Sequence, residues 1–143
     1  MKLTSEKALK LIEKEHGKKQ GNERWINHSI CVGNTASVIA NALNLDEDFA
    51  KTLGYIHDIG KKFEYKEKGV FPHAIKGYEY IKSLGYDEVY AGICIKHSFL
   101  NNDIDCISND RDETDKQNHN YEFVKEYIKK NIQYMKKLLI FAT

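Results

Sequence analysis

Tyr55-Ile56-His57-Asp58-Ile59-Gly60-Lys61 is the stretch around which the chain is organised. An apolar lead runs into a His-Asp doublet, and a glycine and a lysine follow at once. A neutral imidazole beside a carboxylate offers two ready ligands for a divalent metal. Nitrogen and oxygen donors without thiolate suit iron, manganese, cobalt, nickel or zinc rather than an iron–sulfur cluster. A lone His-Asp pair at a helix end is also an ordinary solvated cap, so the weight falls on where the other histidines lie.

Upstream, Asp46 precedes Glu47 and Asp48 and is a good N-cap with acids in the first turn. The helix it starts carries Phe49, Ala50, Leu53, Ile56 and His57 inward and ends near Gly60. Before it, about Glu23 to Asn44 places Trp25, His28, Val32, Ala36, Ile39 and Leu43 at steps of three or four, one face of a long amphipathic helix with His28 on its apolar stripe. The first helix is capped by Thr4 between Leu3 and Ala8 and closed by Gly17.

Downstream, Lys61 to Val70 is a charged linker. Pro72 suits a first helical turn, and that helix places His73, Gly77, Tyr80 or Ile81, and Leu84 on one side. Asp87 caps another, with Val89, Ile93 and His97 inward. From Ser98 to Asp115 the pattern dissolves into Asn, Asp and Ser, a long loop or lid. Its acids do not make a calcium loop: Ile107 stands where a further oxygen ligand is needed, and no glycine follows for the turn. A last helix runs from about Asn120 with Tyr121, Val124 and Ile128 inward, and Leu138 to Ala142 form a more apolar end.

At 143 residues, 41% hydrophobic and 30% charged, the chain reads as one all-α domain over residues 1–143, a bundle of five to seven helices. A formal charge of +1 leaves no global field for nucleic acid or membrane. No duplex DNA or RNA binding is expected. With no secretory signal at Met1 to Glu6 and no bilayer-long apolar run, a reducing cytoplasm is the expectation. Cys31, Cys94 and Cys106 form no CxxC pair, and Cys31 and Cys94 read as small buried hydrophobes. Tyr127 and Tyr134 read as exposed aromatics that leave dimerisation open.

His16 and His119 lie in polar surroundings and should face solvent. His28, His57, His73 and His97 each occupy the apolar face or the end of a helix. Helical bundles build metal sites by aiming such side chains at one interior point. The sequence here resembles the HD-domain metal-dependent phosphohydrolases. His28, within Arg24-Trp25-Ile26-Asn27-His28-Ser29, matches that family's early histidine. His57-Asp58-Ile59-Gly60 is the HDIG form of its doublet, and His73 with Gly77, and His97, match the two further histidines of two-metal members.

The resemblance implies one or two divalent ions held by His28, His57, Asp58, His73 and His97, with Asp58 bridging. It implies hydrolysis of a phosphate ester or anhydride, a nucleotide or dinucleoside polyphosphate, by metal-activated water. Lys61 is placed to meet a phosphate as a point charge. Arg24, one turn before His28, is placed to clamp one bidentately. One element departs: the family closes its site with a late aspartate, and Thr143 stands at the matching place after Leu138 to Ala142. Asp103 and Asp105 are the substitutes the loop offers. The alternative is a degenerate domain that binds a nucleotide or partner without hydrolysing it.

Overall fold

Short polar side chains start three of the helices. Thr4 accepts from the Lys7 N–H at 3.3 Å, Asp46 from that of Phe49 at 3.0 Å and Asp87 from that of Val89 at 3.1 Å, each satisfying a donor that the first turn leaves open. The computed structural model describes residues 1–63, 70–97, 122–123, 125–127 and 129–130, and holds no strand among them. Its elements are α1 (Ser5–Glu13), α2 (Asn22–Ala42), α3 (Glu47–Ile56), a 3-10 turn (Ile59–Phe63), α4 (Val70–Ser83) and α5 (Glu88–Lys96). Residues 122–123, 125–127 and 129–130 are helical too. The architecture is the expected all-α bundle. The 98–115 stretch with Asp103 and Asp105, His119, the inward positions of the last helix, Tyr134, Cys106 and Thr143 lie outside the described residues.

Leu3, Ala8 and Ile12 from the N-terminal segment meet Trp25 and Ile26 of α2, Tyr55, Ile56 and Ile59 around the doublet, Ile81 of α4, and Tyr90, Ala91 and Cys94 of α5 in one core. α2 packs mainly on α3, while α4 packs on α5 and on the 3-10 turn. Two close backbone approaches set these contacts. A Cβ on Gly54 would stand 2.4 Å from the Gly33 Cα, and one on Gly60 would stand 1.7 Å from the His73 carbonyl oxygen. Neither crossing admits a side chain.

The α2–α3 approach overturns the expected face of α2. Asn22, Trp25, Ile26, Ser29, Gly33 and Ala40 are buried, whereas Ile39 and Leu43 are exposed. Small and polar residues lie at the contact because only they let the two backbones come together, so hydropathy alone rotates the helix wrongly. His28 accordingly stands at the rim of the interface, its side chain 54% exposed. Cys31 is exposed, and only Cys94 is the buried hydrophobe expected of both. Val89 is exposed as well.

The doublet ends α3 sooner than expected, at Ile56 with His57 as cap, and Gly60 serves the approach to α4 rather than the helix end. α1 likewise stops at Glu13, with Gly17 in the following turn at φ +74°. Lys61 to Phe63, read as open linker, are folded into the 3-10 turn. Tyr127 is no free aromatic surface: its ring lies 5.6 Å from that of Tyr78, and its hydroxyl donates to Glu88 at 3.2 Å.

Candidate metal centre

His57 and His97 are placed by the same local device. Each is the C-cap of its helix, where the last carbonyls lack intrahelical donors. His57 Nδ1 donates to the Gly54 carbonyl at 2.6 Å, and His97 Nδ1 donates to that of Ile93 at 3.1 Å. A carbonyl only accepts, so Nδ1 carries the proton in both rings. In the neutral imidazole, Nε2 then keeps its lone pair. Both Nε2 atoms face Asp58.

Asp58, just past the end of α3, is buried among four imidazoles. Its Oδ2 lies 3.6 Å from His28 Nε2 and 3.4 Å from His57 Nε2, and those two nitrogens are 3.3 Å apart. Its Oδ1 lies 3.4 Å from His73 Nε2 and 3.1 Å from His97 Nε2, themselves 3.3 Å apart. One carboxylate thus presents one oxygen to each of two histidine pairs. The result is two donor groups, His28–His57–Asp58 and Asp58–His73–His97. Around a single ion with bonds of about 2.0–2.2 Å, neighbouring donors in a tetrahedral or octahedral shell lie about 2.9–3.6 Å apart. Every spacing here falls in that range.

The donor chemistry fits as well as the spacing. Lone pairs of His57 and His97 that face a carboxylate repel it unless a cation lies between them. Burial alone would raise the Asp58 carboxyl, but hydrogen bonds donated by the His57, His73 and His97 rings, where a ring proton stands in the place of the cation, outweigh it and hold the group far below the usual carboxylate range. The carboxylate is therefore ionised and can ligate. The nearby Cys94 thiol is pushed up, by burial and then by the Asp58 charge, and offers no thiolate.

The four histidines read from the sequence as ligands, drawn from α2, the α3 end, α4 and the α5 end, stand in two groups that share Asp58. Lys61 stands 3.7 Å from Asp58 Oδ2. Beside the centre opens a cleft of about 520 Å³ lined by Arg24, Lys61, His28 and Trp25 together with the 19–22 segment. Arg24 and Lys61 thus line the same cleft as His28. His16 is solvent-exposed and pairs with Glu23.

The sequence reading missed the far wall of the cleft. Lys19 Nζ donates to the Lys61 carbonyl at 2.7 Å. Asn22, buried, donates through Nδ2 to the Glu15 carbonyl and accepts from Trp25 Nε1 through Oδ1, both at 2.9 Å. The Asn22–Trp25 spacing of one helical turn was a usable signal. The Lys19–Lys61 contact joins segments far apart in the chain and had none.

Among curated proteins the chain is similar to several that carry the name Ribonuclease Y. It is 42% identical over 57 residues to that of Clostridium botulinum, covering 40% of this chain and 11% of the relative. It is 32% identical over 89 residues to that of Opitutus terrae, covering 62% and 17%. It is 33% identical over 110 residues to that of Protochlamydia amoebophila, covering 73% and 21%. The chain therefore spans only about a tenth to a fifth of the length of these relatives. No solved structure gives a significant match. Among the described residues no helix is long and apolar enough to cross a membrane. The family model described as HD domain matches residues 25–132, well over half the chain and all five donors, and the chain belongs to the HD-domain family.

Proposed function

We propose that this chain is a metal-dependent phosphohydrolase domain whose centre is built by His28, His57, Asp58, His73 and His97. The observation that carries the reading is the division of Asp58, with Oδ2 toward His28 and His57 and Oδ1 toward His73 and His97. A bridging carboxylate of this kind suits a pair of divalent ions. The nitrogen and oxygen donors point to iron, manganese, cobalt, nickel or zinc.

When bound, such ions lower the pKa of a coordinated water toward neutrality and offset the charge of in-line displacement at phosphorus. The chain's own residues do the rest. The Gly54 and Ile93 carbonyls fix the tautomers of the neutral His57 and His97 rings, so that both present their Nε2 lone pairs to the centre. Asp58 spans the two donor groups and sets their separation. Lys61 and Arg24, on the cleft beside His28, hold the phosphate oxygens, Lys61 as a point charge and Arg24 through its fork.

The substrate class is a phosphate ester or anhydride of a nucleotide. The name carried by the relatives adds a phosphodiester of RNA to the set to be assayed, because one charged cleft beside two ions serves either. Residues 1–143 act in this reading as a single domain.

The test is metal analysis of chelator-free protein, then turnover of mononucleotides, dinucleoside polyphosphates, cyclic dinucleotides and a short single-stranded RNA with Mn²⁺, Fe²⁺ or Co²⁺. Uptake of up to two ions with hydrolysis of at least one substrate is expected. Failure to take up any of these ions would overturn the reading. Uptake and nucleotide binding without turnover would leave a binding domain.

A further inference from the structure

An ion pair with one buried and one half-buried partner lies outside the proposed metal centre and takes no part in the mechanism above. Lys62 Nζ stands 2.8 Å from Glu15 Oε1, with the two side chains 16% and 5% exposed. The same ammonium lies 4.2 Å from the centre of the Tyr80 ring, and Lys18 approaches the other Glu15 oxygen at 3.4 Å. Burial alone would raise the Glu15 carboxyl, but Lys62 and Lys18 bring it below its ordinary value. Taking two charges out of water is costly, and an apolar pair in the same space is often at least as stable. Stability alone is a weak reason for Glu15 and Lys62.

Geometry supplies a better one. Glu15 belongs to the turn between α1 and α2, which supplies the 19–22 wall of the cleft, and Lys62 belongs to the 3-10 turn that carries Lys61. With three residues per turn, consecutive side chains of such a turn point about 120° apart. Anchoring Lys62 on one side therefore fixes the direction of Lys61 on another. A second contact ties the same two segments, Lys19 Nζ to the Lys61 carbonyl at 2.7 Å, and Asn22 Nδ2 braces the Glu15 side of it through the Glu15 carbonyl at 2.9 Å. We infer that Glu15 and Lys62 are positioning residues that hold the Lys61 ammonium in the cleft, beside the metal centre, where the substrate phosphate binds.

This inference rests on the proposed function only in giving Lys61 a phosphate to meet. The test uses the full chain loaded with Mn²⁺, with bis(p-nitrophenyl) phosphate as probe, and compares Lys62→Met, Lys62→Arg and Glu15→Gln. Misplacing a charge that contacts substrate raises KM, so Lys62→Met and Glu15→Gln are expected to raise it about tenfold while kcat and Mn²⁺ uptake hold. Lys62→Arg restores most of the loss. Acetylation of the Lys61 amine, followed by mass spectrometry, speeds up in Lys62→Met and returns toward the wild-type rate in Lys62→Arg.

Unchanged KM and unchanged Lys61 acetylation in folded variants would overturn the inference, and so would a fall in kcat accompanied by lost Mn²⁺. Should Lys62→Met not fold by circular dichroism, Glu15→Gln, which keeps the shape of the side chain, gives the same readouts. Should the wild type turn over no phosphodiester, the proposed function fails for that class, and Lys61 acetylation alone decides the positioning claim.

Discussion

The two halves of the metal centre share Asp58 but differ in enclosure. His73 and His97 are 6% and 16% exposed, on α4 and α5 in the packed side of the bundle. On the other half, His57 is buried while His28 stands 54% exposed at the mouth of the cleft. An enclosed pair of imidazoles loses little freedom when an ion arrives, whereas His28 must be ordered from solvent. On the proposed function, the enclosed half is expected to be the tighter ion site. The open half is then where water and substrate would reach the centre.

Asp58→Ala breaks both halves together and has the largest effect expected. Removing metal-based charge stabilisation worth several kcal/mol lowers activity by about a thousandfold or more. Metal analysis should find neither ion retained through dialysis. One ion kept at full affinity would show that Asp58 does not bridge.

Gly60→Ala acts on one half through the backbone. Its Cβ would stand 1.7 Å from the His73 carbonyl oxygen, so α4 must move and carry His73 with it. Overpacking of this severity costs about 3 kcal/mol. Urea denaturation should show that loss, and titration of the purified protein should show the tighter of two metal steps weakened first. Equal weakening of both steps would mean that the halves are not mechanically distinct.

Direct ligand removal sharpens the contrast. Outer-sphere partners are worth about 10–100-fold in metal affinity, so loss of a ligand costs at least ~100-fold at its own ion. His73→Ala should therefore abolish the tight step and His28→Ala the weak one, as read by Mn²⁺ titration with electron paramagnetic resonance. The reverse order would show that exposure of His28 does not set the affinity.

Much of this centre was legible in the sequence, because helix periodicity and caps are local. His57-Asp58 at the end of a capped helix, His73 just after Pro72 and His97 at the end of an Asp87-capped helix could be placed from neighbouring residues, and all three meet as expected. His28 was found for a partly wrong reason. It joins the site from the rim of α2, not from a buried stripe, since the Gly33–Gly54 approach sets the helix rotation and an apolar count cannot see it. The Glu15–Lys62 pair was illegible, because two charged residues far apart in sequence each look like solvated surface until the fold brings them together.

That pair also marks a difference between the halves: it braces the cleft beside the open one. Its expected pH signature is the smallest effect. In the folded chain the Glu15 carboxyl titrates below its ordinary value of 4.5, since burial is outweighed by Lys62 and Lys18. As pH falls through that value the unfolded chain takes up the Glu15 proton first, so stability from the pair is full above about pH 4.5 and is lost on further acidification. Glu15→Gln should flatten the acid side of the stability curve measured by urea denaturation, after subtraction of its pH-independent cost. A Glu15→Gln curve parallel to that of the wild type below pH 4.5 would mean that Lys62 and Lys18 do not hold the carboxylate in the folded chain.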